Sequence, residues 1–194
     1  MVEGVAENHG EPMRKMILCL ALAFLSLKPQ LAWCQNTVFL TPADAIKLIF
    51  QNSKEVIKED HAITPAIQEE ARKLLGYELP KANYPFFVGK TDGKIDGYAV
   101  IDDEVGKVMP ITFITRINPD GKVSQVEIMV YRESHGGEVA TKRFLNQFKE
   151  KSFNEELRLD KNVIHVTGAT LSSYALVKGV RRDLVLYQIF YGKK

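Results

Sequence analysis

Four hydroxyl side chains crowd into seven residues toward the C-terminal end of the chain. They are Thr167, Thr170, Ser172 and Ser173, in the run Val166-Thr167-Gly168-Ala169-Thr170-Leu171-Ser172-Ser173. A helical pattern follows at once, from Thr170 or Leu171, with Leu176, Val180, Leu184 and Tyr187 as its apolar stripe. The first turn of a helix offers amide N–H groups that have no intrahelical partner, together with the positive end of the helix dipole, so it suits a phosphate. Gly168 and Ala169 are small enough to let a ligand approach the backbone, and a hydroxyl can donate to a phosphate oxygen or be esterified by it. The competing reading is an ordinary helix cap, since Ser or Thr before a helix is common; a cap needs one hydroxyl, and four are present. A glycine-rich nucleotide loop is a third reading. The chain has neither the P-loop lysine motif nor a dinucleotide fingerprint.

The other chemistry-bearing residues are fewer. Glu133 and Ser134 follow an apolar alternating segment, and Gly136-Gly137 comes directly after; the four read either as ligand contacts at a sheet end or as a solvated turn. His61, His135 and His165 have no metal-ligand spacing. Asp102-Asp103-Glu104 reads as a solvated turn at a strand end, and Arg181-Arg182 as surface or partner contacts too far along the last helix to hold a phosphate. Tyr84 and Phe86 read as core, with Phe87.

The elements that must position these residues follow from turn and cap signals. Thr41-Pro42 and Thr64-Pro65 each open a helix; the first runs to Phe50, and the second is stopped by Gly76. Pro80 to Pro85 reads as a linker. From Phe86 the period becomes two: strands are expected at 86–90, 95–101, 111–117 and 123–131, joined by turns at Asp92-Gly93 and Asn118-Pro119-Asp120-Gly121. Glu138 to Phe148 reads as a short helix. Helices, a run of strands and helices again imply an α+β fold, an antiparallel meander packed against helices with a long C-terminal helix.

Residues 1–35 read as a targeting segment. Arg14 and Lys15 precede an apolar run from Met16 to Leu27, too short to span a bilayer comfortably, and Ala32-Trp33-Cys34 offers a cleavage site or the outline of a lipid anchor. Both cysteines lie in this segment, so a mature chain cleaved after Cys34 has none, and a disulfide scaffold, a thiol nucleophile and a cysteine metal site fall away together. The net charge of +2, from 26 basic and 24 acidic residues, gives no reason to expect nucleic acid as a partner. The expected organisation is a targeting segment over 1–35, a helical part over 36–84 and a ligand-binding domain over 85–194.

The run Thr167-Gly168-Ala169-Thr170, followed by Ser172-Ser173, resembles the flavinylation motif of FMN-binding domains. These include the small flavin-bearing subunits of the Rnf and sodium-pumping NADH:quinone reductase complexes. The similarity extends over roughly 86–186: Pro110 through Val123 resembles the family's strand–turn–strand, Arg132 to Gly137 its glycine-rich loop, and Phe144 to Phe148 the helix after it. The resemblance implies FMN joined through its phosphate to the hydroxyl of Thr170. It implies Thr167, Gly168, Ala169, Leu171, Ser172, Ser173, Glu133, Ser134, Gly136 and Gly137 as the residues around it, a flavin transferase for maturation and membrane redox proteins as partners. The family's usual aspartate six residues before the modified threonine is Ile164 here. With the leader, the expectation is an extracytoplasmic, periplasmic or membrane-attached electron carrier. Its rivals are an FMN-dependent reductase of a small substrate and a non-redox module that binds a phosphorylated ligand or a partner.

Overall fold

In the computed structural model, which describes residues 36–155 and 157–192, both Thr-Pro pairs open helices as expected. The amide of Asp44 donates to Thr41 Oγ1 at 3.2 Å to start α1 (Pro42–Ile49), and that of Ile67 donates to Thr64 Oγ1 at 3.3 Å to start α2 (Pro65–Leu75). Gly76 ends α2 with φ 84°, a left-handed conformation that costs glycine little. The targeting segment expected over 1–35 lies outside the described residues.

Between these helices runs a strand that the residue pattern does not announce, β2 (Glu55–Ala62). It alternates exposed and half-buried positions and carries Glu55, Lys58, Glu59 and Asp60, the charged sequence of an edge strand. It pairs antiparallel with β3 (Asn83–Thr91) from Glu55 opposite Lys90 to Ala62 opposite Asn83, so the last residues of the expected linker belong to the sheet. The meander continues through β4 (Lys94–Val105), β5 (Pro110–Ile117) and β6 (Val123–Tyr131). The short β1 (Thr37–Val38) adds to the far side of β6, and the sheet order is β1-β6-β5-β4-β3-β2. The chain is thus α+β, with an antiparallel sheet and helices on both faces.

The segment expected as one helix from Glu138 to Phe148 is three short pieces. A 3-10 turn at Gly137–Ala140 is cut off by Thr141, which is extended at φ −70° and ψ 141°; α3 (Lys142–Leu145) follows, then a second 3-10 turn at Asn146–Phe148. The last helix, α4 (Thr170–Tyr191), starts where the hydroxyl-rich run predicts. It lies against β4 and β5, and Gly179 sets how closely: a methyl group there would sit 2.3 Å from Phe113 Cζ. Leu176, Val180, Leu184 and Tyr187 of α4 join Tyr84, Phe86, Phe113, Ile117 and Val126 of the sheet in the larger core, while α1 covers a smaller core of Ala45, Ile49, Ala99, Ile114 and Met129 on the opposite face. Each such large side chain contributes about 1.5–3 kcal/mol by leaving water, so the sheet–α4 contact dominates the fold's apolar stabilisation.

Two charge readings are corrected by the fold. Asp102-Asp103-Glu104 is no solvated turn: it lies within β4, and Asp102 is 0% exposed. Arg182 is no surface contact either. It is 1% exposed, and its guanidinium reaches Asp102 at 2.6 Å, Glu104 at 2.5 Å and the carbonyl of Asp103 at 2.7 Å. Buried charges persist only when paired, and these are paired to one another. Arg181 does reach the other side, donating to the Leu74 carbonyl at 2.9 Å.

Candidate functional site

The run before α4 is a tight turn that hands the chain to the helix. Ala169 N donates to the Val166 carbonyl at 2.9 Å, which closes a turn with Thr167 and Gly168 at its centre; Gly168 has φ 82°, the value a type II turn asks of its third residue. A methyl group on Gly168 would meet nothing within 4 Å, so glycine is needed there for its backbone and the space beside it is open.

The four hydroxyls have divided roles. Ser172 and Ser173 are buried and spent on the protein. Ser172 Oγ lies 2.9 Å from Tyr131 Oη. Ser173 Oγ donates to the Ala169 carbonyl at 2.9 Å and accepts from Val166 N at 3.1 Å, locking the turn to the helix. Thr167 and Thr170 are exposed. The residue before the helix is Ala169, with φ −127° and ψ 32°, and no side chain caps the helix start. The ordinary-cap reading therefore has no capping bond behind it: no side chain takes the first-turn amides, and two exposed hydroxyls lie beside them.

The glycine-rich loop after β6 is drawn onto this helix start. Gly136 has φ 90°, and a methyl group there would sit 2.6 Å from Tyr131 Oη, 3.0 Å from Ser172 Oγ and 3.3 Å from Ala169 Cβ. Tyr131 is the joint, because its hydroxyl also donates to the His135 carbonyl at 2.5 Å. Nothing in the sequence marks Tyr131 beyond its place at a strand end. A methyl group on Gly137 would make only an ordinary contact, 3.9 Å from the Tyr131 ring. Glu133 holds the neighbouring β4–β5 turn, its Oε1 accepting from Val108 N at 2.8 Å and Met109 N at 3.1 Å. Ser134, exposed, bonds His135 Nδ1 at 2.8 Å. The structure thus brings Gly136 and its loop together with Ala169–Ser172, and gives Glu133 a task in the backbone.

Around Thr170 the exposed surface is apolar. Leu171 is 53% exposed and Tyr174, one turn further on, is 59% exposed. Residues three and four apart share a helix face, so Thr170, Leu171 and Tyr174 are neighbours. Ile164 is 72% exposed, its backbone gripped on both sides by Gln147, which accepts from Ile164 N at 2.8 Å and donates to its carbonyl at 3.0 Å. His165 bonds Asp160 at 2.5 Å, and that contact holds the Asp160 carboxyl below its usual range. A cleft of about 190 Å³ lined by Leu74, Phe153, Arg181 and Leu184 lies elsewhere, some 16 Å along α4 at about 1.5 Å per residue. Among the described residues no group of three or more His, Cys, Asp or Glu is placed to hold a metal ion, and no helix is long and apolar enough to cross a membrane.

These donors fit a phosphoester with an aromatic ring attached: first-turn amides without a side-chain cap, an exposed hydroxyl that can be esterified, open space at Gly168 and an apolar face alongside. The comparisons with known proteins point to FMN as the ligand. The family model of the FMN-binding domain matches residues 106–185, which contain both the glycine-rich loop and the helix start. A subunit of the proton-translocating ferredoxin:NAD(+) oxidoreductase complex of Clostridium ljungdahlii is 30% identical over 146 residues, a match that takes in 66% of this chain and 76% of the relative. A subunit of the Na(+)-translocating ferredoxin:NAD(+) oxidoreductase complex of Acetobacterium woodii is 28% identical over 130 residues, which is 62% of this chain; the chain spans 63% of that relative's length. In fold, the chain resembles NqrC of Shewanella oneidensis, with a TM-score of 0.52 at 16% identity over 75% of this chain and 85% of that one. It likewise resembles a subunit of the Na(+)-translocating NADH-quinone reductase of Parabacteroides distasonis, with a TM-score of 0.51 at 17% identity, over 73% of this chain and 79% of that one.

Proposed function

The chain belongs to the FMN-binding domain family, with FMN as its cofactor, and on that premise we propose that it is an extracytoplasmic electron-transfer protein carrying the flavin as a phosphoester on Thr170. The observation that carries the linkage is the start of α4: an exposed threonine at the first helical position, preceded by no capping side chain. Thr170 Oγ1 would stand in place of one hydroxyl of the FMN phosphate, that hydroxyl and the threonine proton leaving overall as water, and the first-turn amides and helix dipole would hold the charge that remains on the ester. Thr167, exposed on the turn, stands by as a further donor.

FMN, when bound, supplies reversible electron uptake and release; the protein's part is to bind and orient it. Leu171, next to Thr170, and Tyr174, one turn further on, would offer an apolar face to a flavin ring held there. Both side chains lie at the surface, so a ring held on them would stay within reach of a partner, as an electron carrier requires. The apolar run from Met16 to Leu27 supports placement outside the cytoplasm. There a covalent bond keeps a cofactor that dilution would otherwise remove. Membrane redox proteins then serve as electron donor and acceptor, and a flavin transferase completes maturation; the oxidoreductase complexes named for the curated relatives support the first of these.

The test is co-expression of the full chain with a flavin transferase, followed by denaturing electrophoresis and redox titration. Flavin fluorescence that survives denaturation, absent from Thr170→Ala, and an absorbance that bleaches and returns through a mediator without any small substrate, support the reading. A colourless protein, or turnover of a small substrate faster than exchange with a protein partner, overturns it.

A further inference from the structure

Arg182 has the buried partners described above, but its neighbour Asp183 does not. Asp183 is 0% exposed, halfway along α4, and its Oδ2 accepts from Thr115 Oγ1 of β5 at 2.6 Å. Its Oδ1 makes no hydrogen bond. Among the described residues no cation lies within ion-pair distance of it. The cations nearby are committed to other acids: Arg182 to Asp102 and Glu104, Lys81 to Asp102 and Asp103 at 2.7 Å each, and Lys178 to Glu104 at 2.9 Å. Arg132 lies on the Asp103 side, donating to Thr112 Oγ1 at 2.8 Å.

The remaining titratable groups here do not help. Tyr84 of β3 and Tyr77, just beyond α2, have buried hydroxyls without a hydrogen-bond partner. Burial pushes the Tyr77 hydroxyl up to about 12 and that of Tyr84 higher still, so both stay neutral at any ordinary pH. A bare carboxylate at Asp183 would face the negative charge of Asp102 with one oxygen unsolvated, the arrangement that buried ions avoid by taking up a proton. A neutral acid carries no net charge, so its unpaired oxygen is much less costly to bury.

We infer that Asp183 is built into the fold as a neutral carboxylic acid, and that loss of its proton loosens α4 from the sheet. Desolvation first, and the charge of Asp102 second, hold the carboxyl well above its usual range, against the smaller lowering pull of Thr115 and Arg182. The sign follows from linkage. The folded state keeps the proton to a higher pH than the unfolded chain, whose carboxyl titrates near 3.9, so the unfolding constant rises as pH climbs from there to the folded value, by about tenfold per pH unit for one proton. The helix that presents Thr170 is therefore gripped more firmly in a more acidic compartment. This inference stands apart from the flavin reading, because it concerns the other part of α4.

The experiment compares the full chain with Asp183→Asn, which keeps the shape and removes the charge. Chemical denaturation between about pH 5 and pH 8 gives a wild-type stability that falls with pH relative to the variant, and a variant more stable than wild type at the upper end. Groups shared by the two proteins contribute alike to both profiles and cancel in the difference. Parallel profiles overturn the inference. Infrared spectra of wild type at neutral pH give an independent reading should the variant fail to fold: a protonated-carboxyl stretch in the native protein that vanishes on unfolding is expected, and its absence from the native spectrum contradicts the assignment.

Discussion

The first turn of α4 and its middle are one helix in two environments. At Thr170–Tyr174 the helix is uncapped, with Thr170, Leu171 and Tyr174 facing outward. At Lys178–Asp183 it is pressed onto the sheet by Gly179 and fastened by Arg182 to two acids of β4 and by Asp183 to β5. The difference teaches where the fold can bear a large substituent. Stability resides in the middle, so the start of the helix can take an ester without disturbing the core, and a ring carried there would meet apolar side chains that the core does not use.

That contrast is breakable, beginning with its strongest part. Arg182→Ala takes the buried guanidinium from between Asp102 and Glu104, leaving them only Lys81 and Lys178, and is expected to cost about 3–5 kcal/mol in urea denaturation. A loss below about 1 kcal/mol would mean that the network is not what holds α4. Next is Gly136→Ala at the joint of loop and helix, where a positive φ and a methyl group 2.6 Å from Tyr131 Oη together predict a loss of about 1–3 kcal/mol, along with weaker flavin attachment measured by in-gel fluorescence. Ser173→Ala removes the bonds that lock the turn to the helix and should cost about 1 kcal/mol.

Two changes in the exposed part complete the series. Tyr174→Ala, far from the core, is expected to leave stability within about 0.5 kcal/mol while shifting flavin fluorescence and the reduction potential, read by spectroelectrochemical titration. An unchanged flavin spectrum would remove Tyr174 from the apolar face. Ile164→Asp restores the acid that the family carries before its motif. Because Gln147 holds the backbone of residue 164 and the side chain faces water, the fold should tolerate it, with stability again within about 0.5 kcal/mol and a higher flavinylated fraction after co-expression.

Much of the scaffold was legible. Thr41, Thr64 and Gly76 announced helix ends through cap chemistry, and Asp92-Gly93 and Pro119-Asp120-Gly121 announced turns through backbone preference, because these are local causes. The hydroxyl-rich run located the start of α4 for the same reason. What stayed hidden depends on tertiary partners. Arg182, Asp102 and Glu104 read as surface because charged side chains are seldom buried, and only the pairing of α4 with β4 reveals the exception. β2 escaped because an edge strand rich in charge lacks an apolar alternation. The division of the four hydroxyls into two buried and two exposed was likewise beyond the residue pattern: it turns on Tyr131 and on the Val166 amide, which the folded chain brings to Ser172 and Ser173.

The central claim is that the hydroxyl of Thr170 bears the flavin, and peptide mass spectrometry of protein matured with a flavin transferase tests it most directly. The account predicts a peptide spanning 167–173 heavier by one FMN less one water, with fragment ions placing the addition on Thr170. An addition on Thr167, or an unmodified peptide from protein that nonetheless retains flavin through denaturation, would contradict it.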